Sequence, residues 1–325
     1  LPHIISEMRE QIERSGGKVL FEKKLVDLVI INGEIKETIT SDGDRFPTEA
    51  LLLATGHSAR DIFLLLKQKG ILIEAKPFAL GVRVEHPQSN IDGIQYHCAV
   101  RGSNLPPAAY SLVEQVSDRG VFSFCMCPGG FIVPAATAHG EVVVNGMSPS
   151  KRNNLFANSG IVVEINADKD LYKYEQFGPL KGLEYQKDLE KLAFTAGGRS
   201  QTAPAQRLTD FVEGRLSNDL NPTSYQPGLK SAPLHSLLPK LIGSRLRKGF
   251  ESFGQKMKGY YTAEANVVGV ESRTSSPVCI PRNDQLEHPE VSGLFPCGEG
   301  GGYAGGIVSA AMDGERCAEA AIIGL

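Results

Sequence analysis

The sequence lacks the marks of several large protein classes. No apolar run approaches the ~20 residues that a membrane-crossing helix needs, and the first residues show no basic-then-apolar leader pattern. Cysteine is sparse. There are six in 325 residues, irregularly spaced, which excludes a disulfide scaffold and fits reduced thiols in a cytoplasmic protein. Neither sign of charge is in excess, and a net charge of −3 gives no electrostatic case for nucleic acid or an anionic membrane. His86, His97, Cys98, Cys125, Cys127 and His139 show no C-x-x-C or H-x-x-x-H spacing, so no metal site is expected. What the sequence has in excess is glycine, 35 residues of it. These cluster in loops without a repeat, which excludes collagen-like and solenoid architectures.

The length allows two domains, or one domain with an insertion. Leu1 enters a helical pattern at once, with Ile4, Ile5, Met8 and Ile12 apolar, and Gly16-Gly17 end it. A start inside an element is what a fragment of a longer protein would show. Strands over Leu25 to Ile31 and Glu34 to Thr40 flank Asn32-Gly33, a hairpin signal. Glu49 to Ala54 reads as a fully buried parallel strand and Asp61 to Lys69 as a helix. Short strand-like runs follow at 80–84, 121–126, 131–133 and 141–144, the last after a His139-Gly140 turn. Helical spacing returns at 183–193 and 231–258, and a strand at 267–271. Residues 71–268 therefore read as a mainly β insertion between two halves of an α/β domain, 1–70 and 269–325.

Four stretches bear on chemistry. In the tail, the apolar run Leu294-Phe295-Pro296-Cys297 leads into Gly298-Glu299-Gly300-Gly301-Gly302-Tyr303-Ala304-Gly305-Gly306, and a small-residue helix starts near Ile307. Residues 300–305 fit G-x-G-x-x-G. That pattern opens a βαβ unit, and here the sequence ends at Leu325, so the tail reads as the closing strand-loop-helix of a larger nucleotide site. Ala54-Thr55-Gly56 ends the buried strand with small residues that admit a ligand. Glu271-Ser272-Arg273-Thr274-Ser275-Ser276-Pro277 offers Arg273, Thr274 and Ser275 either to an anionic or polar ligand edge or to an interdomain ion pair. Cys125-Met126-Cys127-Pro128-Gly129-Gly130 puts its two cysteines on one face of a strand. A packed strand and turn is the expectation there rather than disulfide chemistry, with the turn Pro128-Gly129-Gly130 offering its glycine backbone N–H groups to a ligand. The basic stretch 240–250 reads as a core helix, since Gly243, Gly249 and Glu251 spoil a membrane-surface face.

Taken together, Leu51 to Asp61, Phe124 to Gly130, Ala203-Pro204-Ala205-Gln206-Arg207-Leu208, Gly269 to Pro277 and the glycine tail resemble the FAD-dependent oxidoreductases of the two-dinucleotide-binding superfamily. More narrowly, they resemble bacterial FAD-utilising dehydrogenases of uncharacterised role. The resemblance implies a partial FAD/NAD(P)-binding Rossmann-like domain, α+β overall, carrying a large insertion. It implies FAD contacts from Ala54, Thr55, Gly56 and Gly298 to Ile307, with Glu299 on the ribityl chain and the glycines beside the flavin ring. It implies NAD(P)H as a reductant and a small-molecule substrate, with His57 and Glu271 as candidates for a base. Family members open with a strand and a G-x-G-x-x-G turn, and this sequence does not open with them. Weak or absent FAD binding by this fragment is therefore expected. A structural, non-redox use of FAD is the alternative.

Overall fold

A computed structural model describes residues 2–324; Leu1 and Leu325 lie outside the described residues. The protein is a mixed α/β fold built around a seven-stranded sheet. Across it the strands run Leu229–Ser231, Ala203–Arg207, Asn266–Glu271, Phe78–Pro87, Phe156–Ile165, Arg119–Cys127 and Val113–Val116. Neighbours are antiparallel except the first pair. One face of this sheet packs on the helix Lys240–Lys256, which sends Leu246, Phe250 and Phe253 into the core with no exposed surface. Gly249 lets it approach, because a Cβ there would lie 2.7 Å from Val121. The basic stretch is thus a core helix, as its apolar spacing predicts.

Elements from near the two ends of the sequence form a smaller body. The hairpin Leu25–Ile31 and Glu34–Thr40 turns at Asn32-Gly33, both with positive φ, and gains a third strand at Arg45–Pro47. Leu51–Leu53 pairs in parallel with Leu294–Pro296. Leu28, Ile35, Leu53, Phe63, Ile71, Val278 and Leu294 share one apolar cluster, separate from the core of the large sheet. The helix Pro2–Arg14 has no buried residue, and the long helix Ile307–Gly324 buries only the stripe Asp313, Cys317 and Ala321.

Several sequence expectations change. The strand predicted over Glu49 to Ala54 shortens to Leu51–Leu53 and is not fully buried: Leu52 is 37% exposed, since its side of the pleat points away from the apolar cluster. The run 141–144 is not a strand until Val144. Glu141 to Val143 are buried but irregular, and Val142 N–H bonds the Glu190 carbonyl instead of a ladder partner. The helical pattern over 231–258 divides at Pro233 and Pro239 into a short strand, a one-turn helix and the long helix. Four strands of the large sheet, Leu229–Ser231, Val113–Val116, Phe156–Ile165 and Ala203–Arg207, carry no strand expectation from the sequence. Phe156–Ile165 is buried through its polar start, where Asn158, Ser159 and Gly160 face strands on both sides.

His86 lies in the core, fully buried, its Nε2 donating to the Tyr260 carbonyl at 2.8 Å while Nδ1 has no partner. Burial pushes its titration down to about 4. An unfolded histidine takes up its proton near pH 6.5, so below that pH the unfolded state gains protons that the native state refuses. Stability should fall as pH drops from about 6.5 to about 4, by about 3 kcal/mol in all. Urea unfolding across that window should show the slope, and His86→Gln should flatten it.

Candidate functional site

The two parallel strands deliver their following loops to one point. Cys297 N–H bonds the Leu53 carbonyl at 3.1 Å, continuing the pairing by one step. Gly56 then turns with φ +76° and Gly298 with φ +66°. A Cβ on Gly300 would lie 2.9–3.1 Å from the Gly56 backbone, so the two loops touch main chain to main chain. Only glycine permits that approach. The glycine run is not all loop: Gly298–Gly301 form one helical turn, which places Glu299 on that turn rather than at the strand end. In front of Gly56 and Gly305 no atom lies within 4 Å of a built Cβ, so this surface is open to a flat ligand.

His57, on the first loop, bridges the centre. Its Nδ1 lies 2.9 Å from Glu299 Oε2 and its Nε2 lies 3.1 Å from the Arg273 carbonyl. Both ring nitrogens face acceptors inside the protein, which leaves neither free to take a proton from a ligand. Glu299 has one oxygen committed to His57, and its side chain remains 31% exposed.

Arg273 has a different task from the ligand contact open to it in the sequence. Its guanidinium points inward, to Glu190 at 2.9 and 3.0 Å, Glu141 at 3.2 Å and Thr137 at 2.6 Å. Arg60 closes the group, bonding Glu141 at 2.7 Å and Glu190 at 2.6 Å, and Ser272 adds 2.6 Å to Glu190. Burial opposes charge on Glu190, but Arg273 and Arg60 outweigh it and hold this carboxyl below the ordinary range. Burial dominates at Glu141, which is pushed up despite Arg60. The Thr274 hydroxyl is spent on the Ala79 carbonyl. Ser275 flanks the same segment, and Arg273 anchors it rather than presenting it.

The Pro128-Gly129-Gly130 turn is corrected in the same way. Gly129 N–H donates to Gln88 at 2.7 Å and Gly130 N–H to the Phe156 carbonyl at 2.9 Å, so neither reaches a ligand. The shared face expected for Cys125 and Cys127 is lost to a bulge opposite Asn158–Gly160. Cys125 adopts φ +45° and is exposed, while Cys127 is buried, and both are free thiols. Glu271 is not a free base either. It pairs with fully buried Arg83 through both oxygens, at 2.8 and 3.3 Å.

Sequence reading passed over the support beneath the loop. Lys76 donates to the Gly302 carbonyl. Arg282 packs on the Tyr303 ring, 3.5 Å from its centroid, and bonds Asp313 at 3.1 Å. Asp313 in turn accepts from Gly298 N–H at 2.8 Å. No spacing rule links residues so far apart; only the high density of glycine around Glu299 marked the region.

Removing one partner of a buried ion pair strands the other's charge, at a cost of about 3–5 kcal/mol. Glu190→Ala should lower unfolding stability by that amount in a urea titration, whereas Glu7→Ala, in an exposed pair with Arg14, should change it by less than about 1 kcal/mol.

Comparison with known proteins adds two findings. An uncharacterised protein from Clostridium beijerinckii is 42% identical over 323 residues, covering 98% of this chain and 60% of that protein. The chain thus spans about 60% of the length of the curated relative it matches. Residues 77–274, more than half of the chain and nearly all of the large sheet, match the family described as FAD-dependent protein, C-terminal domain-like. The chain belongs to that family.

Proposed function

We propose that this chain forms the flavin-ring side of an FAD site in a flavin-dependent oxidoreductase. The observation that carries the reading is the meeting of Gly56 and Gly300 main chains beside Glu299, in a member of an FAD-dependent family. The fit is physical. Open space lies over Gly56 and Gly305, a carboxylate with one uncommitted oxygen stands at its edge, and the helix Ile307–Gly324 opens directly after Gly305-Gly306. Ala54, Thr55 and Gly56 on one loop and Gly298 to Ile307 on the other are the residues that would hold the cofactor. Bound FAD would supply the acceptor for a hydride or electron pair.

The protein's own contribution is orientation and electrostatics. Glu299 would accept a hydrogen bond from a ribityl hydroxyl of bound FAD, and His57 would fix the direction of its carboxylate. The N-terminus of the long helix favours negative charge near the ring. In this reading residues 1–70 and 269–325 make the Rossmann-like cofactor portion, and residues 71–268 the inserted portion over the substrate. The two apolar clusters follow that division in the main, although Ile71, Ile73, Leu180 and Leu183 pack with the first portion and Val270 with the second. NAD(P)H is the proposed reductant. A specific observation also favours a second reading, in which FAD is structural: His57 and Glu271 are both internally committed and neither is free as a base.

Flavin fluorescence titration with FAD should show saturable though weak binding, about tenfold weaker in Glu299→Ala, the loss of roughly one hydrogen bond to a charged group. Equal FAD affinity in the parent chain and in Glu299→Ala would remove the reading. With flavin bound, stopped-flow mixing with NADH or NADPH separates the two uses: bleaching of the flavin absorbance supports the oxidoreductase, and its persistence supports the structural role.

A further inference from the structure

Below the glycine loop lies a buried cluster that belongs to no motif. Cys297 follows the strand Leu294–Pro296, and Asp313 and Cys317 sit one turn apart on the helix Ile307–Gly324. The two sulfurs and the Asp313 carboxylate lie within 4.8 Å of one another. Such a set suits a cation, and the protein already provides one. Arg282 Nη1 lies 3.1 Å from each Asp313 oxygen, 3.1 Å from Cys317 Sγ and 3.2 Å from the Pro296 carbonyl. A metal ion would have to displace this guanidinium, so the cluster is better read as a dithiol beside a fixed cation.

The two sulfurs are not equivalent. Burial, with Cys317 and Asp313 adding to it, pushes the Cys297 thiol up to about 11. Cys317 accepts a hydrogen bond from Arg282 Nη1 at 3.1 Å, a contact that Cys297 lacks. Both sulfurs are buried, Cys317 fully, so a peroxide reaches them only by local opening. The nearby groove of about 680 Å³ is lined in part by Phe295, Ala320 and Ala321, which pack with both cysteines in one apolar cluster.

We propose that Cys297 and Cys317 form a modification site, a dithiol that a hydroperoxide oxidises to a disulfide clasping the glycine loop to the C-terminal helix. The Cys317 sulfur attacks one peroxide oxygen and the O–O bond breaks. The departing oxygen takes up the proton that Cys317 released and leaves as water or an alcohol, and Cys317 becomes a sulfenic acid. The Cys297 sulfur then attacks the Cys317 sulfur. Its proton passes by way of Asp313 to the displaced hydroxide, which leaves as water. Two thiols and one peroxide give one disulfide, one water and one further water or alcohol, with two electrons passing from sulfur to oxygen. Rotation of the side chains closes the present spacing to the ~2.05 Å of a disulfide. Gly298, whose N–H is held by Asp313, lies next to the clasp, so oxidation bears directly on where Glu299 stands.

Hydrogen peroxide added to the folded chain tests this without any flavin. Thiol titration and peptide mapping by mass spectrometry should show loss of two of the six free thiols and a Cys297–Cys317 cross-link that dithiothreitol reverses. Cys297→Ser should leave a dimedone-reactive sulfenic acid at Cys317, and Cys317→Ser should form no cross-link. Retention of all six thiols in the folded wild-type chain, or a cross-link between Cys125 and Cys127 instead, would overturn the proposal. The wild-type map decides the matter even where a variant fails to fold.

Discussion

Glu190 has none of its side chain exposed and is bonded at once by Arg273, Arg60 and Ser272. Those partners come from opposite ends of the sequence. Arg60 follows the strand Leu51–Leu53, Ser272 and Arg273 follow the last strand of the large sheet, and Glu190 lies on the helix Lys181–Ala196 between them. Taking four charges out of water is costly unless each is matched. Two arginines against two glutamates, with Thr137 and Ser272 filling remaining sites, meet that condition. The junction orients the Arg273 carbonyl toward His57, and His57 in turn orients Glu299. The position of the exposed carboxylate is thus set by a chain of bonds that begins in the buried ion cluster.

Glycine contributes at two places for a reason that side chains could not supply. Gly56 and Gly300 bring two backbones to near contact, and each loop needs a positive φ to leave its strand, at Gly56 and Gly298. The same small residues leave open space on the other side. A dense support of Arg282, Tyr303, Asp313 and Lys76 lies below, and an uncovered surface lies above. That asymmetry leaves the loop packed on one side and open on the other.

Local signals were legible where local chemistry decides. The Asn32-Gly33 hairpin, the helix Arg60–Gln68 and the strands Leu51–Leu53 and Leu294–Pro296 follow from turn residues and apolar runs. The strand Phe156–Ile165 was not legible, because Asn158 and Ser159 look like a loop until Arg83 and the Phe124 carbonyl are placed to bond them. Arg273 and the Pro128-Gly129-Gly130 turn were visible as polar groups near a site. Which way their donors point depends on Glu190, Gln88 and Phe156, residues distant in sequence.

By itself the sequence determined the class of the protein and the address of its site. Apolar periodicity and turn chemistry act over a few residues, so they survive without knowledge of the fold, as does the glycine cluster around Glu299. The tertiary structure alone decided which polar groups face a ligand and which are consumed inside. It turned Arg273 inward, occupied both nitrogens of His57, separated Cys125 from Cys127 and joined Cys297 to Cys317. The physical reason is that a buried polar atom must find a partner, and the identity of that partner is a property of chain crossings rather than of neighbouring residues.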